Sequence, residues 1–175
     1  MEVNKVDELK EKFIEYFGEK KWEQEELLGE LHEYHMDICD VLGIECIPVV
    51  FEDGLEDDSS FYVQDMYIAL SDKITTLLEG IKCVAHECKH IEQLIRAKEP
   101  RTEQEERWHI CFYDAFVVKD YDSEDEITKY ALQEIEIDAF AFTQVYIKER
   151  LGIDTYYPNE VYQEIINYYI KKYYK

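Results

Sequence analysis

Apolar residues recur at three- and four-residue intervals over two stretches near the start of the chain, Val6 to Phe17 and Trp22 to Val41. In the second, Leu27, Leu28, Leu31, Tyr34 and Ile38 follow the turn of an α-helix, so both stretches are expected to be amphipathic helices. Gly18 and Gly43 punctuate them. The pattern changes at Ile47 to Phe51, a β-branched run that reads as a strand. An acidic turn, Glu52 to Ser60, leads to Phe61 to Leu70, FYVQDMYIAL, whose imperfect alternation predicts a strand or a strand pair bent near Gln64 and Asp65. A small antiparallel sheet is the expected product.

Helical spacing returns from Ile74 to Ala97, through Leu77, Leu78, Ile81, Val84, Ile91 and Leu94. Ser71 or Asp72 can cap its start, and Pro100 lies past its end. Thr102 to Val118 reads as a further helix. Ser123 with Glu126 fits a capping box opening another helix that runs to about Leu151, with Gly152 beyond it. Asn159 after Pro158 can start a terminal helix, rich in tyrosine and closing on Lys171, Lys172 and Lys175, where positive charge suits the dipole.

At 175 residues, with 46% hydrophobic and 14% aromatic positions, the chain is long and apolar enough for one packed domain. The 19 Lys plus Arg against 41 Asp plus Glu give a formal charge of -22, which disfavours nucleic acid and anionic membrane surfaces as partners. The charge otherwise reads as a solvated surface and selects no substrate. Met1 to Lys10 is polar, and no run approaches the ~18 apolar residues of a membrane span. Five cysteines without paired spacing argue for a reducing compartment, so the expected location is the cytoplasm.

Within the 74–97 helix lies His86-Glu87-Cys88-Lys89-His90, an HExxH pentad. Its i, i+4 spacing puts both imidazoles on one face, about 6 Å apart at Cβ, so two ring nitrogens can reach one Zn2+ at ~2.0 to 2.1 Å. Glu87 is near enough to receive a proton from water at the metal, the part a general base plays in hydrolysis. Chance alone produces such a pentad in about two shuffled chains of a hundred, so context must strengthen it. The context is apolar, Val84, Ala85 and Ile91, where unpaired histidines would cost stability. Glu134, 44 residues after His90, can complete a His2Glu set. Asp138 shares its face and can accept a hydrogen bond from a ligating imidazole. Glu136 points about 160° away from each of Glu134 and Asp138 on a helical wheel and ranks below Glu134.

An HExxH helix followed by a Glu-x-x-x-Asp helix resembles the gluzincin pattern, and AHECKH with EIEIDAFAF looks most like the small ImmA/IrrE-type metallopeptidases and the minimal gluzincins. The resemblance covers roughly Phe61 to Tyr146; Ile137 stands where the family usually has alanine, and the 44-residue gap is long. It implies an α+β fold in which a small antiparallel sheet packs beside the HExxH helix and a glutamate helix, with further N- and C-terminal helices. Residues 1–45 are then a helical extension, 46–151 the catalytic core and 153–175 a tyrosine-rich tail of one metallopeptidase-like domain.

Other readings stay open. His109 could be the third ligand, as in peptidases of the SprT type, or could serve a developing oxyanion, although a lone histidine on an amphipathic helix is more often structural. A closed site using Cys83 and Cys88 suffers from their five-residue separation, and His32 and His35 read as surface or packing residues. The expected function is zinc-dependent cleavage of peptides or proteins. The alternatives are a regulatory protein of phage or plasmid type that keeps the metal without turnover, and a purely structural acidic protein.

Overall fold

The structure, a computed structural model, describes residues 20–114 and 133–174. The first predicted helix, Val6 to Phe17, the end of the Thr102 to Val118 segment and the Ser123 capping box lie outside the described residues.

The described chain is mixed α and β, with five α-helices and a three-stranded sheet. Helix α1, Gln24–Leu42, ends on Gly43 at φ 67, the left-handed conformation glycine adopts without penalty. The strands are β1, Val49–Glu52; β2, Ser59–Tyr62; and β3, Tyr67–Ser71. The strand pair expected within Phe61 to Leu70 exists as β2 and β3, joined by a tight turn with Met66 at φ 54. The sheet is not antiparallel throughout. Its order is β1-β3-β2, with β2 antiparallel to β3 but β1 parallel to it, Val49 facing Ile68 and Glu52 facing Ser71. The acidic segment between β1 and β2 therefore carries the chain past β3 to its far side, leaving β1 and β2 as the two edges.

Helix α2, Leu77–Ala97, carries the HExxH pentad. Ser71 closes β3, and the cap is Thr76, whose side chain accepts from the Glu79 N–H. Gly80 lets α1 close on α2, since a Cβ there would sit 2.8 Å from Leu31 Cδ1. Helix α3, Glu103–His109, opens on a full capping box of Thr102 and Glu105 and runs into a wider π-type turn over Ile110–Asp114. Helix α4, Glu134–Leu151, starts behind Gln133, whose backbone is extended, so it does not continue a helix from upstream; Gly152 at φ 69 ends it. Helix α5, Glu160–Tyr173, begins at Asn159, whose side chain accepts from the Val161 and Tyr162 N–H groups.

The main core joins α1, the sheet, α2 and α4 through Leu27, Ile38, Ile68, Leu70, Ile81 and Ile147. Leu27, Leu31 and Ile38 of α1 thus share one core with the helix that carries the pentad. Helix α4 meets three clusters at once: Phe142 and Ile147 in the main core, Ile135 against Trp108, and Ala141 against Ile166 and Tyr169 of α5. It is wrapped on nearly every side. No helix among the described residues is long and apolar enough to cross a membrane.

Candidate metal centre

The two pentad histidines face each other. His86 Nε2 and His90 Nε2 lie 3.0 Å apart, with the ring centroids at 4.6 Å and edge to face. Against them stands one carboxylate, that of Glu136 on α4, with Oε2 3.3 Å from His86 Nε2 and Oε1 3.5 Å from His90 Nε2. These three side chains form a cluster able to hold a metal ion. Donors ~2.0 to 2.1 Å from a tetrahedral zinc are about 3.3 Å apart; the imidazole nitrogens at 3.0 Å, with the two Glu136 oxygens 3.3 and 3.5 Å from one each, are close enough for all three side chains to reach one ion.

Glu134 is not at this point. Its carboxylate accepts from Arg107 Nε at 2.6 Å and from the Tyr169 hydroxyl at 3.2 Å, which ties α4 to α3 and α5. The helical wheel favoured Glu134 because it assumed that Glu134 and Asp138 line the face toward α2. With apolar side chains around most of α4, nothing in its pattern fixed which face that is. The Glu-x-Glu pair offered both carboxylates, and the packing of α4 selects the second.

Asp138 is fully buried but touches neither imidazole. It acts one step further away. Gln93 Nε2 donates to Asp138 Oδ2 at 2.8 Å and to the Ile135 carbonyl at 3.0 Å. Both partners are pure acceptors, so the amide nitrogen must face them and Oε1 must face His90. Oε1 then accepts from His90 Nδ1 at 2.9 Å, leaving Nε2 as the nitrogen turned toward His86 and Glu136. Asp138 also holds Lys89 Nζ at 3.2 Å and accepts from the Tyr174 hydroxyl at 2.6 Å, while Lys89 pairs with Glu92. Gln93 was missed in the sequence although it lies one helical turn from His90. His86 is held differently: its ring packs on Phe140 at 4.6 Å, and its Nδ1 is buried with no hydrogen-bond partner among the described residues.

Charge in the cluster is settled by Glu136. Burial works against a protonated His90, but the Glu136 carboxylate, through charge and hydrogen bond, outweighs it and pushes the imidazole up to about 9. Burial likewise opposes ionised Glu136, yet His90 and His86 together hold it far below the usual carboxylate range. The metal-free cluster is therefore an ion pair.

Glu87 is buried, only 5% exposed, and accepts a hydrogen bond of 2.7 Å from the Ser59 hydroxyl at the start of β2. Nothing in the DDSS turn announced this contact. Glu87, His86, Glu136, Ser59, Phe61 and Tyr157 all border a cleft of about 1280 Å³. His109 does not border it; its Nδ1 donates to the Ala97 carbonyl at 2.7 Å and its ring lies 4.8 Å from that of Tyr113. The tyrosine tail packs on its own domain. Tyr169, Tyr173 and Tyr174 bond to Glu134, Arg107 and Asp138, while Tyr157 meets Phe140 edge to face at the cleft wall.

Set against protein-family models, curated proteins and solved structures, the chain matches none.

Proposed function

We propose that the protein is a zinc-dependent peptidase in which His86, His90 and Glu136 hold the ion and Glu87 is the general base. One observation carries this reading: the Nε2 atoms of an HExxH pair and a carboxylate from a second helix meet within reach of a single ion at the wall of an open cleft. The donor set fits zinc, being two imidazoles and one carboxylate, the composition of a catalytic centre that keeps a coordination position for reaction. When bound, zinc supplies a Lewis acid that polarises a carbonyl and acidifies water. The pentad followed by a second helix that brings a carboxylate to it resembles the gluzincin plan, with the difference that the carboxylate is Glu136 and not Glu134 of the Glu-x-x-x-Asp pattern.

The chain's own residues supply the rest. Gln93 orients the His90 ring, and Asp138 with Ile135 orients Gln93. Ser59 holds one oxygen of Glu87, turning the carboxylate toward the cleft to take a proton from attacking water and return it to the leaving amine. Strand β2 is an edge strand whose Ser59, Ser60 and Phe61 border the cleft, so an extended peptide can pair along it with a carbonyl lying over the cluster. A cleft of about 1280 Å³ suits a length of peptide better than a compact metabolite.

The test is hydrolysis of a peptide mixture by zinc-loaded protein, with a chelator control and Glu87→Gln alongside. Chelator-sensitive products are expected from the wild type, with retained zinc and no products from Glu87→Gln. Full activity in that variant contradicts the mechanism; no products from either protein favour a binding protein that keeps the ion without turnover.

A further inference from the structure

On the far side of α2 from the pentad imidazoles lies a second group of metal-binding side chains. Cys88 is two residues from both His86 and His90, about 200° around the helix from each, so it faces away from the cleft. It is completely buried in the same core cluster as Cys39 of α1. One turn before Cys39 stands His35, 7% exposed, and Cys46 follows in the loop that leads from Gly43 into β1. One ligand atom from each of His35, Cys39 and Cys46 lies within 4.8 Å of the others.

Two features set this group apart from chance packing. His35 Nε2 is buried with no hydrogen-bond partner among the described residues, a cost that a packing histidine ordinarily avoids. Cys46 is exposed, so its sulfur can move the short distance needed while the helix carrying His35 and Cys39 stays fixed. Their i, i+4 spacing on α1 is the same geometry that makes His86 and His90 a pair on α2.

We propose that His35, Cys39 and Cys46 bind a second, thiophilic divalent ion such as Zn2+. Two sulfurs and an imidazole select a borderline-soft ion over calcium or magnesium. The ion ties the loop entering β1 to α1, and so fixes the sheet edge behind the helix that carries the pentad. The role is structural, and it does not depend on whether the other cluster catalyses hydrolysis.

The two sites separate by spectroscopy. Reduced full-length protein is titrated anaerobically with Co2+, whose bonds to thiolate give an intense near-ultraviolet charge-transfer band that imidazole and carboxylate do not. Wild type is expected to take up one equivalent with that band and another without it. Cys46→Ser, at an exposed position, should lose the band and keep the other equivalent, whereas His86→Ala should keep the band. Absence of the band in reduced wild type, or its survival in Cys46→Ser, overturns the proposal. Isolation of a Cys39–Cys46 disulfide that takes up no metal after reduction overturns it too.

Discussion

Gln93 Oε1 accepts the Nδ1 proton of His90 at 2.9 Å, and that single bond decides which nitrogen of the ring meets the neighbouring imidazole. Because the amide is itself clamped by Asp138 and Ile135, the His90 ring cannot turn over without breaking three contacts. If the cluster holds the proposed ion, its geometry depends on a side chain that does not belong to the ligand set.

Gln93→Leu is near in size but cannot carry the relay. Zinc affinity should fall by about ten- to a hundredfold. Stability should fall by about 1 to 3 kcal/mol, because Asp138 and the Ile135 carbonyl each lose a buried donor. Metal titration and chemical denaturation of the same variant measure the two effects; unchanged affinity would show that Gln93 does not orient the ring.

Ser59→Ala removes the hydroxyl that holds Glu87 at 2.7 Å and leaves the His86, His90 and Glu136 cluster intact. Turnover should drop about tenfold with metal content unchanged, since the loss is one of orientation at the base. Equal loss of metal and turnover would mean that β2 supports the cluster rather than the base.

The ion pair between His90 and Glu136 sets a pH dependence. The His90 pKa, about 9 in the folded protein, stands above its ordinary 6.5. Its contribution to metal-free stability is therefore complete below about 6.5 and is lost as pH rises through 9. Zinc requires the unprotonated ring, so uptake below pH 9 releases this proton, and affinity should rise about tenfold per pH unit toward 9 before levelling. Thermal melts with and without zinc should diverge steadily from pH 6.5 to 9. A zinc shift that stays flat over this range contradicts the assignment.

The tail is a structural brace. Tyr174→Phe deletes the 2.6 Å bond to the buried Asp138 carboxylate and should cost about 1.5 to 3 kcal/mol, as for other hydrogen bonds to charged groups. Removing residues after Gly152 should destabilise the domain further, by uncovering Ala141 and leaving Glu134 and Asp138 without their tyrosines. Higher hydrolytic activity in the truncated protein would instead mark the tail as a restraint on the cleft.

Much of this was legible in the sequence, and the failures share one cause. The pentad, the helix that bears it, the strand pair bent near Gln64 and Asp65 and the Asn159 cap all follow from local spacing and side-chain chemistry. Glu134 was preferred to Glu136 because a helical wheel orients a helix only when one face is polar, and α4 is enclosed by α2, α3 and α5. The parallel pairing of β1 with β3 escaped notice because it depends on where the acidic segment carries the chain, not on any residue within the strands. Ser59 and Gln93 are ordinary polar residues until folding sets them against Glu87 and His90.

The central claim is that Glu136, not Glu134, joins His86 and His90 around the ion. Zinc affinity of Glu136→Ala measured beside Glu134→Ala tests it directly. Glu136→Ala should lose stoichiometric zinc, while Glu134→Ala should keep near-wild-type affinity and lose stability, since Arg107 and Tyr169 forfeit their partner. Zinc retained in Glu136→Ala and lost in a folded Glu134→Ala would contradict the account.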